Sequence, residues 1–459
     1  MHYHFVGLGG AGMSALARVL MDLGHEVSGS DLQPSHLMLR LEALGARLYS
    51  GHRVQNVQGA DFVVVSSAVP TDNVELKRAR SLGIPVLHRA DLLALLMKGK
   101  VSVAVTGCHG KTTTTSMVAL VLERAGLDPT VMVGGELDNI GGNAKLGRGN
   151  YLVTEADESD GSFLKLSPTV AVVTNIDDDH LDHYGGNMAE LTQAFKTFLE
   201  SVPAEGAMVV CGDDPRLFEM ARAMGKRAIT YGVQGGRFRG SGVRRAGEGS
   251  EFTVEDQGKP LGRISLGVPG VHNISNALAA LAVGRFLGVE FPTIAEALGR
   301  YQGVHRRFET VAEAGGVRVV DDYAHHPTEI EATLEAAQGQ VPGRVIVVFQ
   351  PHRYSRTQLL AGSFGPSFRR ADHLILLPVY PAGENPVPGV DSGLIARSVE
   401  ASLGPRPVMA EPGEVPGLVA VWARPGDMVI LMGAGNVYQL APHVRKALDA
   451  GPKEENCRL

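Results

Sequence analysis

The sequence predicts an α/β protein built from three successive units, and three observations carry that prediction. Short runs of β-branched residues recur along the chain and run into glycine-rich loops, the way strands of parallel sheets end where ligands bind. Glycine is abundant at 57 residues while aromatics make up only 5%. The length, 459 residues, exceeds what a single core organises.

Composition excludes several classes. Hydrophobic residues at 44% and charged residues at 20% are ordinary for a globular protein, and a net charge of −6 offers no bulk attraction for nucleic acid. Cys108, Cys211 and Cys457 are too few and too scattered for a disulfide framework or a zinc pattern. The longest apolar stretches, such as Val345 to Phe349, are far below membrane-span length. No charged-then-apolar leader follows Met1. The expectation is a cytoplasmic protein with neither membrane nor nucleic-acid partner.

The first unit opens with a strand at His4-Phe5-Val6, the turn Gly7-x-Gly9-x-x-Gly12 and a helix through Met13, Leu16, Ala17 and Leu20. Strands follow at Glu26–Ser28, with Asp31 at its end, at Asp61–Ser67, delivering Ser66 and Ser67, and at Pro85–Leu87; a helix runs from Asp91 to Met97. The Gly7–Gly12 turn with Asp31 about twenty residues on fits a pyrophosphate-binding fingerprint. Spacing alone does not separate a nicotinamide dinucleotide from a nucleotide sugar.

The second unit starts at the strand Val101–Val105, which feeds Thr106-Gly107-Cys108-His109-Gly110-Lys111-Thr112 and a helix from Lys111 to Leu122. Backbone amides of Gly107, Cys108, His109 and Gly110 would cradle phosphate, Lys111 would place a charge on the terminal phosphates, and the Thr112 hydroxyl would reach Mg²⁺, with Thr113 beside it. The first glycine of the usual phosphate loop is missing, because Val105 stands there. Strands recur at Tyr151–Thr154, Val170–Thr174 and Met208–Val210. The first is followed by Glu155-Ala-Asp-Glu-Ser-Asp160 and the second by an acid- and His-rich run to His183, a set of hard donors suited to Mg²⁺. The interval 235–262 reads either as an antiparallel excursion or as a mobile loop. His272, Asn273 and Asn276 open a helix, where asparagine either caps or reads adenine.

The third unit begins near Thr310, with strands at Val317–Val320, Val345–Phe349, His373–Leu377 and Met428–Leu431. Asp321-Asp322-Tyr323-Ala324-His325-His326-Pro327 ends one strand and Gln350-Pro-His-Arg353-Tyr-Ser-Arg356-Thr ends the next. Two arginines three apart suit a bidentate carboxylate clamp. Arg306-Arg307 is either a phosphate contact or a solvated hinge.

The ordered motifs resemble the Mur ligase family: His4 to Ser14, Thr-Gly-x-His-Gly-Lys-Thr-Thr, Glu-Ala-Asp-Glu-Ser-Asp, Asp-Asp-Tyr-Ala-His-His-Pro-Thr-Glu and Phe-Gln-Pro-His-Arg-Tyr-Ser-Arg-Thr. The resemblance runs from the first residues to Gly433-Ala434-Gly435. It implies a Rossmann-like UDP-sugar domain at 1–97, a P-loop-type central ATPase domain at 98–309 and a Rossmann-like amino-acid domain at 310–459. It implies that ATP, Mg²⁺, UDP-N-acetylmuramate and L-alanine meet in amide-bond formation through an acyl phosphate, in a monomer or homodimer.

By the same resemblance Lys111 lies on phosphate, Thr112 and Glu155 on a first Mg²⁺ and His180 on a second. His272, Asn273 and Asn276 flank adenine, while Arg307 and Asp322 close on the nucleotide. Arg353 and Arg356, helped by His326, take the alanine carboxylate; Gly9, Gly10, Ala11, Gly12, Asp31, Ser66 and Ser67 take the sugar nucleotide. Cys108 replaces the family's usual Thr, which suggests an oxidisable thiol. Lys196 stands at about the distance from His180 of the carbamylated lysine of some relatives, a loose match. His180, His183 and His326 are candidate bases for the alanine ammonium. Domain closure is expected, with hinges near 95–100 and 305–312.

Three other functions compete. A nicotinamide dehydrogenase accounts for Gly7–Gly12 and Asp31 but leaves the second loop unexplained. A nucleotide switch leaves the arginine pair without a purpose. A sibling ligase taking another amino acid or a recycled peptide shares nearly every motif.

Overall fold

The computed structural model describes residues 1–451 except Pro34, His180, Asp182, Lys226 and Arg227. Its three sheets are the three units of the sequence reading. The chain packs as two compact units: the first holds both the first and second sheets, and the second begins in the main at His305, taking in also 247–249 and 268–272. The main boundary lies between Val304 and His305, and 95–100 lies inside the first unit.

The first sheet comes from β1 (His2–Val6), α1 (Ala11–Asp22), β2 (Glu26–Asp31), α2 (His36–Ala43), β3 (Arg47–Ser50), β4 (Phe62–Val65), α3 (Val74–Ser81), β5 (Val86–His88) and α4 (Arg89–Met97). Its order, β3-β2-β1-β4-β5, is parallel throughout. The chain steps one way from β1 to β2 and β3, then returns to the other side of β1 with β4. A crevice therefore opens at the C-terminal ends of β1 and β4, between the glycine turn and Ser66-Ser67. Sequence periodicity misses α2, β3 and α3; β3 is a four-residue edge strand, and half of α3, Val-Glu-Leu-Lys-Arg-Ala-Arg-Ser, is charged. The strand expected to reach Ser67 ends at Val65, which leaves both serines in the loop.

The second sheet contains β6 (Val101–Thr106), β7 (Thr130–Leu137), β8 (Gly142–Lys145), β9 (Tyr151–Glu155), β10 (Val170–Val173), β11 (Ala207–Cys211), β12 (Ala228–Gly232), β13 (Phe238–Ala246), β14 (Gly249–Asp256) and β15 (Lys259–Leu266). Helices α5 (Lys111–Arg124), α6 (Met188–Glu200), α7 (Pro215–Met224), α8 (Val271–Phe286) and α9 (Phe291–Gly299) cover it. The order is β15-β14-β13-β12-β11-β10-β6-β9-β7-β8. β6 lies between β9 and β10, parallel to both, so the phosphate loop emerges between the two acid-bearing loops. The 235–262 interval is the antiparallel excursion, with β14 and β15 paired from Ser250–Leu266 to Asp256–Lys259. Helix α8 is apolar on every side from Ala277 to Val283, all fully buried, as a helix sunk in a core must be.

The third sheet contains β16 (Glu309–Ala314), β17 (Val317–Asp322), β18 (Val345–Phe349), β19 (His373–Leu376), β20 (Pro407–Met409) and β21 (Met428–Met432), in the order β16-β17-β21-β18-β19-β20. The four strands read from sequence pair in parallel, whereas β16, which the sequence reading did not name, is antiparallel to β17. Helices α10 (Pro327–Ala337), α11 (Tyr354–Leu359), α12 (Ala361–Ser367), α13 (Ser392–Ala401), α14 (Val415–Trp422) and α15 (Ala441–Ala450) accompany it. Val345, Val347 and Phe349 face one apolar cluster, while Ile346 and Val348 face another. Both faces are covered, which is why β18 reads as an unbroken apolar run. No helix among the described residues is long and apolar enough to cross a membrane.

Candidate active site

The loop after β6 has a backbone that only glycine permits. Gly107 has φ 122°, and a Cβ there would lie 2.2 Å from Thr174 Oγ1; Gly110 has φ 79°, and its Cβ would lie 2.7 Å from Asn276 Oδ1. Between them, His109 N donates to Asn175 Oδ1 (2.9 Å), while Asn175 Nδ2 (2.9 Å) and Thr174 Oγ1 (2.6 Å) donate to His109 O. The loop is thus clamped from β10. Helix α5 starts at Lys111 without a side-chain cap, leaving its first amides directed at whatever anion the loop receives. The threonine run suits the helix because Thr115 Oγ1 donates to Lys111 O (2.8 Å) and Ser116 Oγ to Thr112 O (2.6 Å). Thr112 is half-buried at this start and Thr113 is buried.

Lys111 Nζ donates to Gly107 O (2.7 Å) and to Glu158 Oε1 (2.6 Å). Glu158 is fully buried and also accepts from Thr106 Oγ1 (3.3 Å). Burial opposes the ammonium charge, but Glu158 and Asp157 outweigh it and hold Lys111 above the usual lysine range. Glu155, at the end of β9, is half-buried and accepts from Gly134 N. The carboxylates of this loop therefore part company. Glu155 turns to β7, Asp157 to Arg89 (2.8 Å), Glu158 to Lys111, and Asp160 to Arg89 (3.4 Å) and Ser67 Oγ.

Those contacts tie the phosphate loop to the crevice of the first sheet. Gly7 takes φ 81°, and Gly7 N (2.8 Å) and Leu8 N (3.1 Å) both donate to Ser30 O. Gly9 N donates to Asp31 Oδ2 (2.9 Å), and a Cβ on Gly9 would meet that oxygen at 2.8 Å. Asp31 is accordingly engaged with its own turn through Oδ2. Gly10 precedes α1 without a side-chain cap, so Gly10, Ala11 and Gly12 present an open helix N-terminus. Arg89 reaches this point too, since a Cβ on Gly12 would stand 3.5 Å from its Nη1. Ser66 lies in the same loop as Ser67, whose hydroxyl also meets His88 Nε2 (3.0 Å).

Within the second unit, the loops after β17 and β18 lie side by side: the His325 and His352 rings are 5.8 Å apart, and Arg356 Nη1 lies 3.4 Å from His352 Nδ1. Arg353 holds φ 71°, an uncommon conformation for a side-chain-bearing residue, and its Nε is buried without a hydrogen-bond partner among the described residues. Arg356 is buried. His326, expected beside the arginines, has its buried ring at the N-cap of α10, where Nδ1 accepts from Thr328 N (3.4 Å), and it is the neighbouring His325 ring that faces His352 of the arginine loop. Arg306 and Phe308 also have positive φ and bracket Arg307 on a tight turn. Asp322 holds that turn, accepting from Phe308 N (2.8 Å) and Ala324 N (2.7 Å). Both of its oxygens thus accept from the backbone of the turn. Arg306 is not a solvated hinge: it donates to Gly433 O (2.7 Å) and packs on Tyr323 and Tyr438.

Other expectations change with burial. Cys108 is buried, its Sγ accepts from Asp177 N (3.1 Å), and burial pushes the thiol far up, so the oxidisable thiol is overturned. Lys196 is exposed on α6, facing Glu200 at 3.8 Å, a solvent-side placement that does not suit a metal-bridging lysine. Asn276 accepts from Thr114 Oγ1 (3.1 Å) and Asn273 from Asn276 Nδ2 (3.4 Å), so Asn276 also buttresses the start of α5. His272 is exposed at the start of α8, and His183 is exposed beside Tyr184. His180 lies outside the described residues, as does nearly all of the frayed end expected from Gly451 onward. Sequence reasoning gave no role to Arg89 and foresaw neither the Glu158–Lys111 pair (2.6 Å) nor the His109–Asp177 pair (2.9 Å). Glu158 was visible inside its motif, but nothing in the sequence marks which of four clustered acids is buried.

Three family descriptions match consecutive parts of the chain: "Mur ligase family, catalytic domain" over residues 2–101, "Mur ligase middle domain" over 105–284 and "Mur ligase, glutamate ligase domain" over 306–435. The chain is 49% identical over 456 residues to a UDP-N-acetylmuramate–L-alanine ligase of Pelotomaculum thermopropionicum, covering 98% of both chains. It is 50% identical over 441 residues to the ligase of that name from Desulfatibacillum aliphaticivorans, covering 95% of this chain and 96% of the other. Among solved structures, the UDP-N-acetylmuramate–alanine ligase of Thermotoga maritima matches with a TM-score of 0.84 at 32% identity, covering 98% and 99%.

Proposed function

The chain belongs to the Mur ligase family, and on that premise we propose that it is the ligase joining L-alanine to the lactyl carboxylate of UDP-N-acetylmuramate at the expense of ATP, a step of peptidoglycan precursor synthesis. The carrying observation is the clamped Gly107–Lys111 loop at the C-terminal end of β6, flanked by the acids after β9 and joined through Arg89 and Ser67 to the crevice of the first sheet. Sequence and architecture agree along the whole length with relatives that carry this activity in their names.

The chemistry explains the parts. A carboxylate is a poor electrophile, so its oxygen first attacks the γ-phosphoryl group of ATP, giving an acyl phosphate and ADP. The alanine amine then attacks the acyl carbon, and phosphate departs with the bonding pair. Lys111, held charged in advance by Glu158, places positive charge where phosphoryl oxygens gather negative charge. The hard oxygen donors Thr112 and Glu155 suit Mg²⁺, with His180 on a second ion, and the metal would draw charge from the same phosphates. Gly9 to Gly12 and Ser66-Ser67 hold the sugar nucleotide, Asp31 acting through Gly9. His272, Asn273, Asn276 and Arg307 attend the nucleotide, and Arg353 with Arg356 grips the alanine carboxylate. Domain limits of 1–97, 98–309 and 310–459, a cytoplasmic setting and a monomer or homodimer complete the proposal.

ADP release measured with UDP-N-acetylmuramate and L-alanine, glycine, L-serine or a tripeptide in turn tests it. Turnover should be highest with L-alanine. Turnover with tripeptide alone would instead assign the sibling ligase, and no amine-dependent turnover would sink both.

A further inference from the structure

Glu75 is fully buried on α3, away from the phosphate loop, and the reaction as derived does not use it. A buried carboxylate is costly unless it is compensated, so its partners show what it is for. Oε2 accepts from Ser30 Oγ and faces His4 Nε2 and His52 Nδ1, both at 3.4 Å. Oε1 accepts from Arg53 N (3.1 Å) and from Asn56 Nδ2. Burial raises its pKa, but the bonds from His4 and Ser30 prevail and hold the carboxyl down at about 2.

Both arms end on loops at the mouth of the crevice. The Ser30 carbonyl is the one that takes Gly7 N and Leu8 N. On the other side Asn56 Nδ2 donates to Gly51 O (3.2 Å), Gly51 N donates to Asp31 O (2.7 Å), and Asp31 Oδ2 takes Gly9 N. The links close a ring from Glu75 through Ser30 to the Gly7–Gly9 turn, then through Asp31, Gly51 and Asn56 back to Glu75. The ring thus runs from the end of the β1–β2 ladder through the backbone of the Gly7–Gly9 turn, so the buried carboxylate and the turn are held by one set of bonds.

We propose that Glu75 is a positioning residue for the sugar nucleotide: its buried charge fixes the Gly7–Gly12 turn and the 51–56 loop in the arrangement that receives the uridine diphosphate moiety. This rests on the reading of the first sheet as the UDP-sugar domain.

Glu75→Gln tests it, because the change removes the charge and keeps the shape. Toward Arg53 N and Asn56 Nδ2 the Gln oxygen still accepts, while its NH₂ faces Ser30, His4 and His52, each able to turn and accept. Ser30→Ala cuts the same arm while leaving the Ser30 carbonyl in place. With the full-length protein, the affinity for UDP read by calorimetry and the KM for UDP-N-acetylmuramate should each worsen about tenfold in both variants. The KM for ATP and the kcat at saturation should stay within twofold. The double variant should bind UDP no worse than about twofold below Glu75→Gln, since both changes cut one path. UDP affinity within twofold of wild type in folded variants, with only a lower melting temperature, would overturn the proposal, as would a parallel rise in the KM for ATP. Should Glu75→Gln fail to fold, Ser30→Ala decides alone. A wild-type protein that binds no UDP would overturn the UDP-sugar reading itself, an outcome independent of either variant.

Discussion

Lys111 and the buried Glu158 form an ion pair, and its lysine end is legible in sequence while its glutamate end is not. The Gly-Lys-Thr spacing announces a phosphate-binding lysine; that Glu158 rather than Asp157 or Asp160 holds it depends on which side chain the loop after β9 turns inward. Lys111→Ala should lower turnover by about 10³-fold, the cost typical of losing an electrostatic contact to the reacting group, checked by coupled ADP release. Arg353→Ala should raise the L-alanine concentration needed for half-maximal rate at least about tenfold while changing kcat less, because a carboxylate clamp acts mainly in binding. Initial rates against L-alanine check it, and a fall in kcat alone would contradict the clamp. Cys108 is buried and held protonated, so alkylation by iodoacetamide in the native protein should be far slower than in urea, read by mass spectrometry.

At the scale of the element, the phosphate loop is a glycine problem. Its missing first glycine, Val105, costs nothing because Val105 is still β6, paired with Glu155. The glycines that matter are the two whose Cβ would collide with Thr174 and Asn276. Gly107→Ala should therefore abolish ATP-dependent turnover and destabilise the fold by about 1–3 kcal/mol. Gly126→Ala, at φ 74° with nothing near its Cβ, should cost about 1–2 kcal/mol of backbone strain and leave the KM for ATP unchanged. Chemical denaturation alongside ATP kinetics separates the two. The strands most easily read from sequence, β6, β10, β18 and β21, are buried on both faces, so their β-branched and apolar runs are continuous. Among those that escaped, β3, β8 and β20 are three or four residues long and partly exposed, with too little pattern to register.

For the whole molecule, the two compact units should respond to acid with opposite signs. In the first, Glu75 and Asp160 have folded pKa values of about 2, below their ordinary 4.5 and 3.8. Their stabilisation is complete above the ordinary values and is lost as pH falls toward 2. In the second, burial lifts Asp321 and Asp322 from 3.8 to about 6. Between those values the fold binds protons that the unfolded chain does not, so stability rises as pH drops through 6. Calorimetry from pH 7 to 3 should show the transition of the second unit strengthening before that of the first fails. Asp321→Asn should flatten the rise between pH 6 and 4.

By itself the sequence determined the α/β class, the order of three sheets along the chain and the chemistry of the phosphate loop. These follow from local patterns: apolar runs that must be buried, glycines that permit a turn, and a lysine at fixed spacing. Only the tertiary structure decided how individual charges are used. Asp31 and Asp322 hold their own backbone, Cys108 is sealed in, Arg89 bridges to the acid motif, and Glu75 ties together loops far apart in the chain. Sequence fixes the identity of a charged residue but not its desolvation or its long-range partner. Those depend on which strands become neighbours, and strand order is settled by the packing of the whole sheet.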